Sequence, residues 1–424
     1  MNEATLQYVR QHADDDVRLL ALRGSKDPQV DMVQALQQIQ GRQTARKKLP
    51  SWAGLDALVY PPHLNMEQCS SEQTARYKAG ICQRIVGTQP DTSLVDLTGG
   101  LGVDCCFMSD AFSRTTYVER NTELFDIASR NLRVLQKDVE CVNADGTEFF
   151  RTLPHVSMFF LDPARRDDHG SRTYGISDCT PDVLGLKDEL MSKADHVLLK
   201  LSPMLDWRKA VGDLGPQTVS EVHIVSVQNE CKELLVLLEP GAPAACAADG
   251  GGDETRATAP ITLCCVNDDQ AFRLPSTAAD CAALPYGRPE VGQLLMEPNA
   301  SIMKAGCFGA LSQRFRLAPL ARDSHLFVPS AAPDGASGGE GGAFPGRVFR
   351  IGAVTTMGKR ELRHALQGID RANIATRNFP LKADELRRRL KLSDGGDTYI
   401  FGTTLADGSH VLIVCRKADE RKYF

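Results

Sequence analysis

No apolar run in the 424 residues approaches the roughly 18–20 residues that a membrane-spanning helix needs. No Cys-x-x-Cys pair occurs among the 13 cysteines, and Cys105–Cys106 and Cys264–Cys265 are adjacent pairs. That spacing argues against a zinc grid or a disulfide framework, so no metal is expected and the thiols suit a reducing cytoplasm. The opening MNEATLQYVRQHADDD has no apolar core and turns acidic, so it does not read as a signal peptide. Strong net charge is missing too: the formal value is -5, too small to make the whole molecule a nucleic-acid sponge.

The charge is nevertheless uneven. Residues 341–424 hold 16 Lys and Arg against 9 Asp and Glu, a net of +7; the rest holds 33 against 45, a net of -12. A basic tail on an acidic body suggests an anionic partner for the tail, or else a solvated basic face. Two Gly/Ala/Pro-rich stretches, Gly241 to Pro260 and Pro329 to Gly346, contain almost nothing to bury and read as insertion and linker.

Hydrophobic spacing divides the remainder. Residues 1–88 read as helical, with Leu19, Leu20, Leu22, Val33, Leu36 and Ile39 at helical intervals and Ser70 or Ser71 able to cap SSEQTARYKAGICQRIV. Residues 89–275 alternate strands with helices, which implies a parallel sheet covered on both faces. That rhythm ends in SEVHIVSVQ and KELLVLLE, an antiparallel hairpin. Residues 276–328 form a small module, 329–346 the linker, and 347–420 a unit of strand, helix, strand, helix and two strands. The fold class is therefore α/β with a small α+β domain at the end.

Four motifs carry chemistry. In VDLTGGLGVD, from Val95 to Asp104, a strand runs into a loop with Gly99, Gly100 and Gly102. Glycine there lets a cofactor approach the backbone, and the helix beginning near Val103 would turn free N–H groups towards it. Asp96 ends the strand, Thr98 stands where D-x-G-x-G-x-G has its first glycine, and Asp104 enters the helix. Glu119, 17 residues after Gly102, ends TTYVE, where a carboxylate can accept two ribose hydroxyls. Asp145 and Gly146 end the third strand, placed to meet an adenine amino group. Finally FFLDPARR, from Phe159 to Arg166, ends an apolar strand in Asp162-Pro163, which aims the carboxylate at the sheet's carboxyl edge. Arg165 and Arg166 could hold a phosphate.

In this order the motifs resemble class I S-adenosylmethionine-dependent methyltransferases over about Ser93 to Glu239. The resemblance implies S-adenosylmethionine as cofactor, bound by Asp96, Thr98, Gly99, Gly100, Gly102, Asp104, Glu119, Asp145 and Gly146. Asp162, Pro163 and Arg165 would then face the acceptor. Ala164 and Arg165 replace the second proline and the aromatic of the exocyclic-amine motif. LDPAR resembles RNA uracil C5-methyltransferases, yet LLKLSPMLDW offers Lys200, Ser202 and Pro203 and no nucleophilic cysteine. EPNASIMKAG, SHLFV, the run from Arg377 to Lys417 and SSEQTARYK resemble a bacterial methyltransferase family with a C-terminal THUMP-like domain behind a ferredoxin-like module. That likeness implies an RNA partner. Arg360, Arg363, Arg371, Arg377, Arg387, Arg388, Arg389 and Lys391 would form the basic surface, with Leu381, Leu386 and Leu390 on the buried side of its last helix; no aromatic stacking platform accompanies them. A protein or small-molecule methyltransferase and a non-catalytic cofactor-binding module stay open.

Overall fold

The computed structural model describes residues 1–165, 175–240, 260–330 and 343–418, residue 165 through its backbone alone. Residues 241–259 of the expected insertion, 331–342 of the expected linker, and Arg166 lie outside these residues, whereas Pro329 and Gly346 at the ends of that linker belong to strands. The chain forms two compact units, Met1–Ser220 with Glu233–Ala257, and Glu221–Lys232 with Thr258–Phe424.

The first unit opens with six helices: α1 (Glu3–Gln11), α2 (Val17–Arg23), α3 (Met32–Lys48), α4 (Pro50–Ala53), α5 (His63–Gln68) and α6 (Glu72–Val86). Side chains cap several of them, Asp31 accepting from Gln34 N–H and Ser71 from Thr74 N–H. Leu20 and Ile39 are buried as their spacing predicts, whereas Leu19, Leu22 and Val33 are exposed. An amphipathic period marks a helix but does not say how wide a stripe finds a partner.

Alternation follows: β1 (Ser93–Asp96), α7 (Val103–Met108), β2 (Arg114–Val118), α8 (Thr122–Val134), β3 (Glu140–Val142), α9 (Gly146–Thr152), β4 (Val156–Leu161), the two-residue pair β5 (Ala164–Arg165) and β6 (Cys179–Thr180), α10 (Val183–Ser192), β7 (Ala194–Leu201) and α11 (Trp207–Leu214). β8 (Val219–Val227) and β9 (Glu230–Leu238) each pass from one unit to the other. Within the first unit the sheet order is β9-β7-β4-β1-β2-β3, all parallel except β9, which runs antiparallel to β7. β4 and β7 are buried on both faces, hence their unbroken apolar runs.

The N-terminal helices share a core with this sheet. Leu49, Trp52, Tyr60, Met66 and Ala75 pack in one cluster with Val103, Cys106, Tyr117 and Leu132. Asn131 fixes the same junction, its side chain bonding both N–H and C=O of Val59 at 3.0 and 2.7 Å. The helices are thus built into the wall of this unit.

In the second unit β8 pairs in parallel with β10 (Thr262–Asn267), which turns into antiparallel β11 (Gln270–Pro275). Then come β12 (Leu294–Pro298), α12 (Ala300–Ala305), α13 (Phe308–Phe315), β13 (Leu317–Pro319), β14 (Phe327–Pro329), β15 (Gly346–Thr355), α14 (Lys359–Ala365), β16 (Asn373–Arg377), α15 (Ala383–Leu390), β17 (Thr398–Thr404) and β18 (His410–Lys417). Seven of these strands form one sheet in the order β13-β14-β12-β15-β18-β17-β16. Leu362 of α14, Leu366 at its C-terminal cap, and Leu386 and Leu390 of α15 join one apolar cluster with Ile374, Ile400, Leu412 and Val414. Both helices therefore cover the same face of that sheet.

Candidate active site

β1 and β4 are neighbours, so their carboxyl ends deliver the glycine loop and the Asp-Pro turn side by side. Thr98 joins them: the Asp162 N–H donates to its Oγ1 at 2.6 Å. The Thr98 N–H donates to Asp96 Oδ1 at 3.1 Å. A glycine at position 98 could accept no such bond, which accounts for threonine at that point of the motif.

The loop after β1 turns through Gly100 and Gly102 at φ 57° and 78°. Gly99 is required for a different reason than ligand approach: a Cβ there would stand 2.1 Å from the Tyr117 ring. Tyr117 Oη in turn donates to Gly100 O at 2.5 Å. The Gly100 N–H reaches across to Glu119 Oε2 at 2.9 Å, and Glu119 Oε1 accepts from Asn121 N–H at 2.7 Å. An ionised carboxylate offers about four acceptor positions, so two remain for a diol. Asp145 caps α9, accepting from Thr147 N–H at 2.8 Å and Thr147 Oγ1 at 2.6 Å, which holds its carboxyl below the usual range. Gly146 presses on the same loop, since a Cβ would lie 2.1 Å from Leu97 O. The structure thus brings β1, Glu119, Asp145 and Asp162 to one sheet edge. The Arg165 backbone pairs with Cys179, and Pro163 is buried in the turn.

Asp104 is placed elsewhere than at an open surface. It is 7% exposed and lies inside a row of charges. Lys78 Nζ, fully buried, is 3.1 Å from Asp104 Oδ1 and 2.5 Å from Glu233 Oε2. Ser70 Oγ donates to Asp104 Oδ2 at 2.6 Å, a different task from the helix cap, which Ser71 fills. Lys200 Nζ is 3.8 Å from Asp104 Oδ2 and 2.5 Å from Asp162 Oδ2.

Burial pushes the Asp96 carboxyl well above its ordinary range, and the Asp104, Asp162 and Glu119 charges add to this. Burial also raises Asp162, against the pull of Lys200. Lys200 is pushed upwards although burial opposes it, because Asp162, Asp104 and Glu233 all face it. Lys200 holds its proton, because Asp162 and Asp104 adjoin it at 2.5 and 3.8 Å and Glu233 adds its charge from farther along the row.

Lys78, Lys200 and Glu233 were not legible as site residues. A lone lysine within the apolar strand HVLLKLS was the available signal, because a buried cation needs a partner. In the second unit, Glu221, His223 and Cys264 form the cluster with metal-ligand spacing among the described residues. There the buried His223 ring is hydrogen-bonded to Glu221 at 2.9 Å. No helix among the described residues is long and apolar enough to cross a membrane.

Residues 346–417 match the THUMP domain-like family and residues 294–334 match a ferredoxin-like domain. A crystal structure of a methyltransferase from Porphyromonas gingivalis W83 superposes over 98% of this chain and 98% of that one, at 31% identity and a TM-score of 0.78. A class I S-adenosylmethionine-dependent methyltransferase from Listeria monocytogenes aligns over 63% of this chain and 94% of that one, at 10% identity and a TM-score of 0.38. An rRNA methylase from Streptococcus thermophilus aligns over 39% of this chain and 96% of that one, at 12% identity and a TM-score of 0.31. No curated protein matches the chain. With this extent of identity and superposition, the chain belongs to the family of the Porphyromonas gingivalis enzyme, class I S-adenosylmethionine-dependent methyltransferases with a THUMP-like C-terminal domain.

Proposed function

We propose that this methyltransferase acts on RNA, which docks on the outer face of α14 and α15. The carrying observation is the charge of that face. Lys359, Arg360, Arg363, Arg388, Arg389 and Lys391 are exposed beside one another's helices on one side of the sheet. Among the described residues none of them has a carboxylate within ion-pair distance. The patch is smaller than the sequence suggests. Arg377 is paired with the buried Glu297 at 2.8 Å, Arg387 with Asp384 and Asp394 at 2.6 and 2.7 Å, and Arg371 donates to the Asp394 carbonyl at 3.0 Å. Free cations bind phosphates by releasing counterions, whereas cations already paired release few.

In this reading Glu119 and Asp145, with the glycine loop, hold the adenosine end of S-adenosylmethionine, and Asp96 orients that loop through the Thr98 N–H. The cofactor supplies an electrophilic methyl on a sulfonium. Asp162, steadied by Lys200 and by its N–H bond to Thr98, orients the acceptor, and Pro163 fixes the turn that presents it. Transfer needs in-line placement, so the protein contributes positioning and exclusion of water.

The test is incubation of the full chain with labelled cofactor and RNA from cells lacking this protein, followed by nucleoside analysis. Label in a nucleoside, abolished in Asp162→Ala while cofactor binding persists, supports the proposal; label only in protein or small molecules overturns it. Arg388→Ala with Arg389→Ala should weaken RNA binding and lower the salt slope by about 2.

A further inference from the structure

The site's buried charges form an alternating row in the first unit: Glu233, Lys78, Asp104, Lys200 and Asp162, with contacts of 2.5, 3.1, 3.8 and 2.5 Å. The row holds three carboxylates against two ammonium groups. It is odd in number and begins and ends on a carboxylate. Its members are not equally sealed. Side-chain exposure is 4% at Glu233, 0% at Lys78, 9% at Asp104 and 11% at Lys200, but 38% at Asp162. The surplus negative charge therefore meets the surroundings at Asp162, on the sheet edge where the methyl donor and its acceptor must come together. The four inner charges are deeply buried and poorly screened, so the row's surplus of one is felt by whatever binds beside its open end at Asp162.

We propose that this odd carboxylate makes the site selective for the positively charged donor over its neutral product: the row ending at Asp162 favours S-adenosylmethionine over S-adenosylhomocysteine. The inference rests on the cofactor assignment and goes beyond it, by giving the row a task in telling donor from product. Methyl transfer removes the donor's positive charge, because the S–C bonding pair stays on sulfur as the methyl passes to the acceptor. The field that holds the sulfonium does nothing for the thioether, so turnover itself loosens the cofactor. Asp96 makes no contact with the row, and burial pushes its carboxyl well above the ordinary carboxylate range. Lys78 and Lys200 cannot supply the missing charge, because each is already shared between two carboxylates.

The experiment is calorimetric titration of the full chain with three ligands. These are S-adenosylmethionine, S-adenosylhomocysteine, and an analogue bearing an ammonium group in place of the sulfonium. The two cations should bind roughly tenfold tighter than the thioether, or ~1.4 kcal/mol. In Asp162→Asn the three affinities should converge to within about twofold through loss on the cations alone, and Asp162→Glu should restore the gap. Glu233→Gln, which removes the same charge from the far end of the row, should narrow the gap as well. Equal or tighter binding of the thioether by the unaltered protein overturns the proposal, and so does an unchanged gap in Asp162→Asn. Failure of all three ligands to bind the folded protein would instead overturn the cofactor assignment.

Discussion

Replacing Lys78 by methionine removes the ammonium from the middle of a buried ion cluster without changing the apolar stem. Lys78 is fully buried, and its Nζ is the neighbour of Glu233 at 2.5 Å, Asp104 at 3.1 Å and Ser70 at 3.3 Å. Asp104 would keep the Ser70 hydroxyl at 2.6 Å and the more distant Lys200, while Glu233, 3% exposed, would be left with the long 3.3 Å branch of that same single hydroxyl proton. Breaking a buried pair from one side costs about 3–5 kcal/mol, chiefly from the stranded charge. For a unit of this size that corresponds to a fall in Tm of about 6–20 °C. Both tryptophans, Trp52 and Trp207, are buried in the first unit, so their fluorescence follows its unfolding alone. The deficit should depend on pH. In the native chain Lys78 and Lys200 hold the Asp104 carboxyl low against burial, so its contribution is present above the unfolded carboxylate pKa and is lost on acidification. Without Lys78 the stranded carboxylates are raised instead, so folding takes up protons and the variant regains ground as pH falls from about 8 to about 5. Adding Glu233→Gln should recover part of the loss. A deficit under about 1 kcal/mol, or one equal at both pH values, would refute the claim that this cluster is charged and dry.

Three further outcomes follow from single contacts. Gly146→Ala should cost about 1–3 kcal/mol and weaken cofactor binding in calorimetry, because its Cβ would fall 2.1 Å from Leu97 O and 2.9 Å from Leu97 C, and backbone cannot step aside as a side-chain tip can. Thr98→Val keeps the shape but leaves the Asp162 N–H without its 2.6 Å acceptor; a loss of about 1–3 kcal/mol in denaturant unfolding is expected, and Thr98→Ser should recover most of it. Burial pushes the Cys82, Cys106 and Cys415 thiols up to about 12, so iodoacetamide near neutral pH should leave all three unmodified in the folded protein and alkylate them after denaturation, as read by peptide mass spectrometry.

Much of the site was open to reading because its parts are local. The order Asp96, glycine loop, Glu119, Asp145, Asp162 is set by strand ends that recur along the chain, and each strand announces itself by an apolar run. The α/β alternation and the terminal strand–helix–strand–helix–strand–strand unit were legible for the same reason. The charged row was not. Ser70 and Lys78, Asp104, Lys200 and Glu233 come from four separate segments up to 163 positions apart, and nothing in the neighbours of Lys78 or Glu233 distinguishes them from ordinary surface residues. The basic tail shows the converse: Arg371, Arg377 and Arg387 look like members of a patch in sequence, but folding supplies them with partners at Asp394, Glu297 and Asp384.

By itself the sequence determined the kinds of element, their order along the chain and the cofactor chemistry, because period, turn residues and short motifs act over a few residues. Tertiary structure alone decided which glycines answer to packing, which arginines remain free, and that an odd number of buried charges meets at Asp162. Those outcomes depend on distances between segments remote in the chain, and electrostatic energy depends on distance and burial rather than on position in a string.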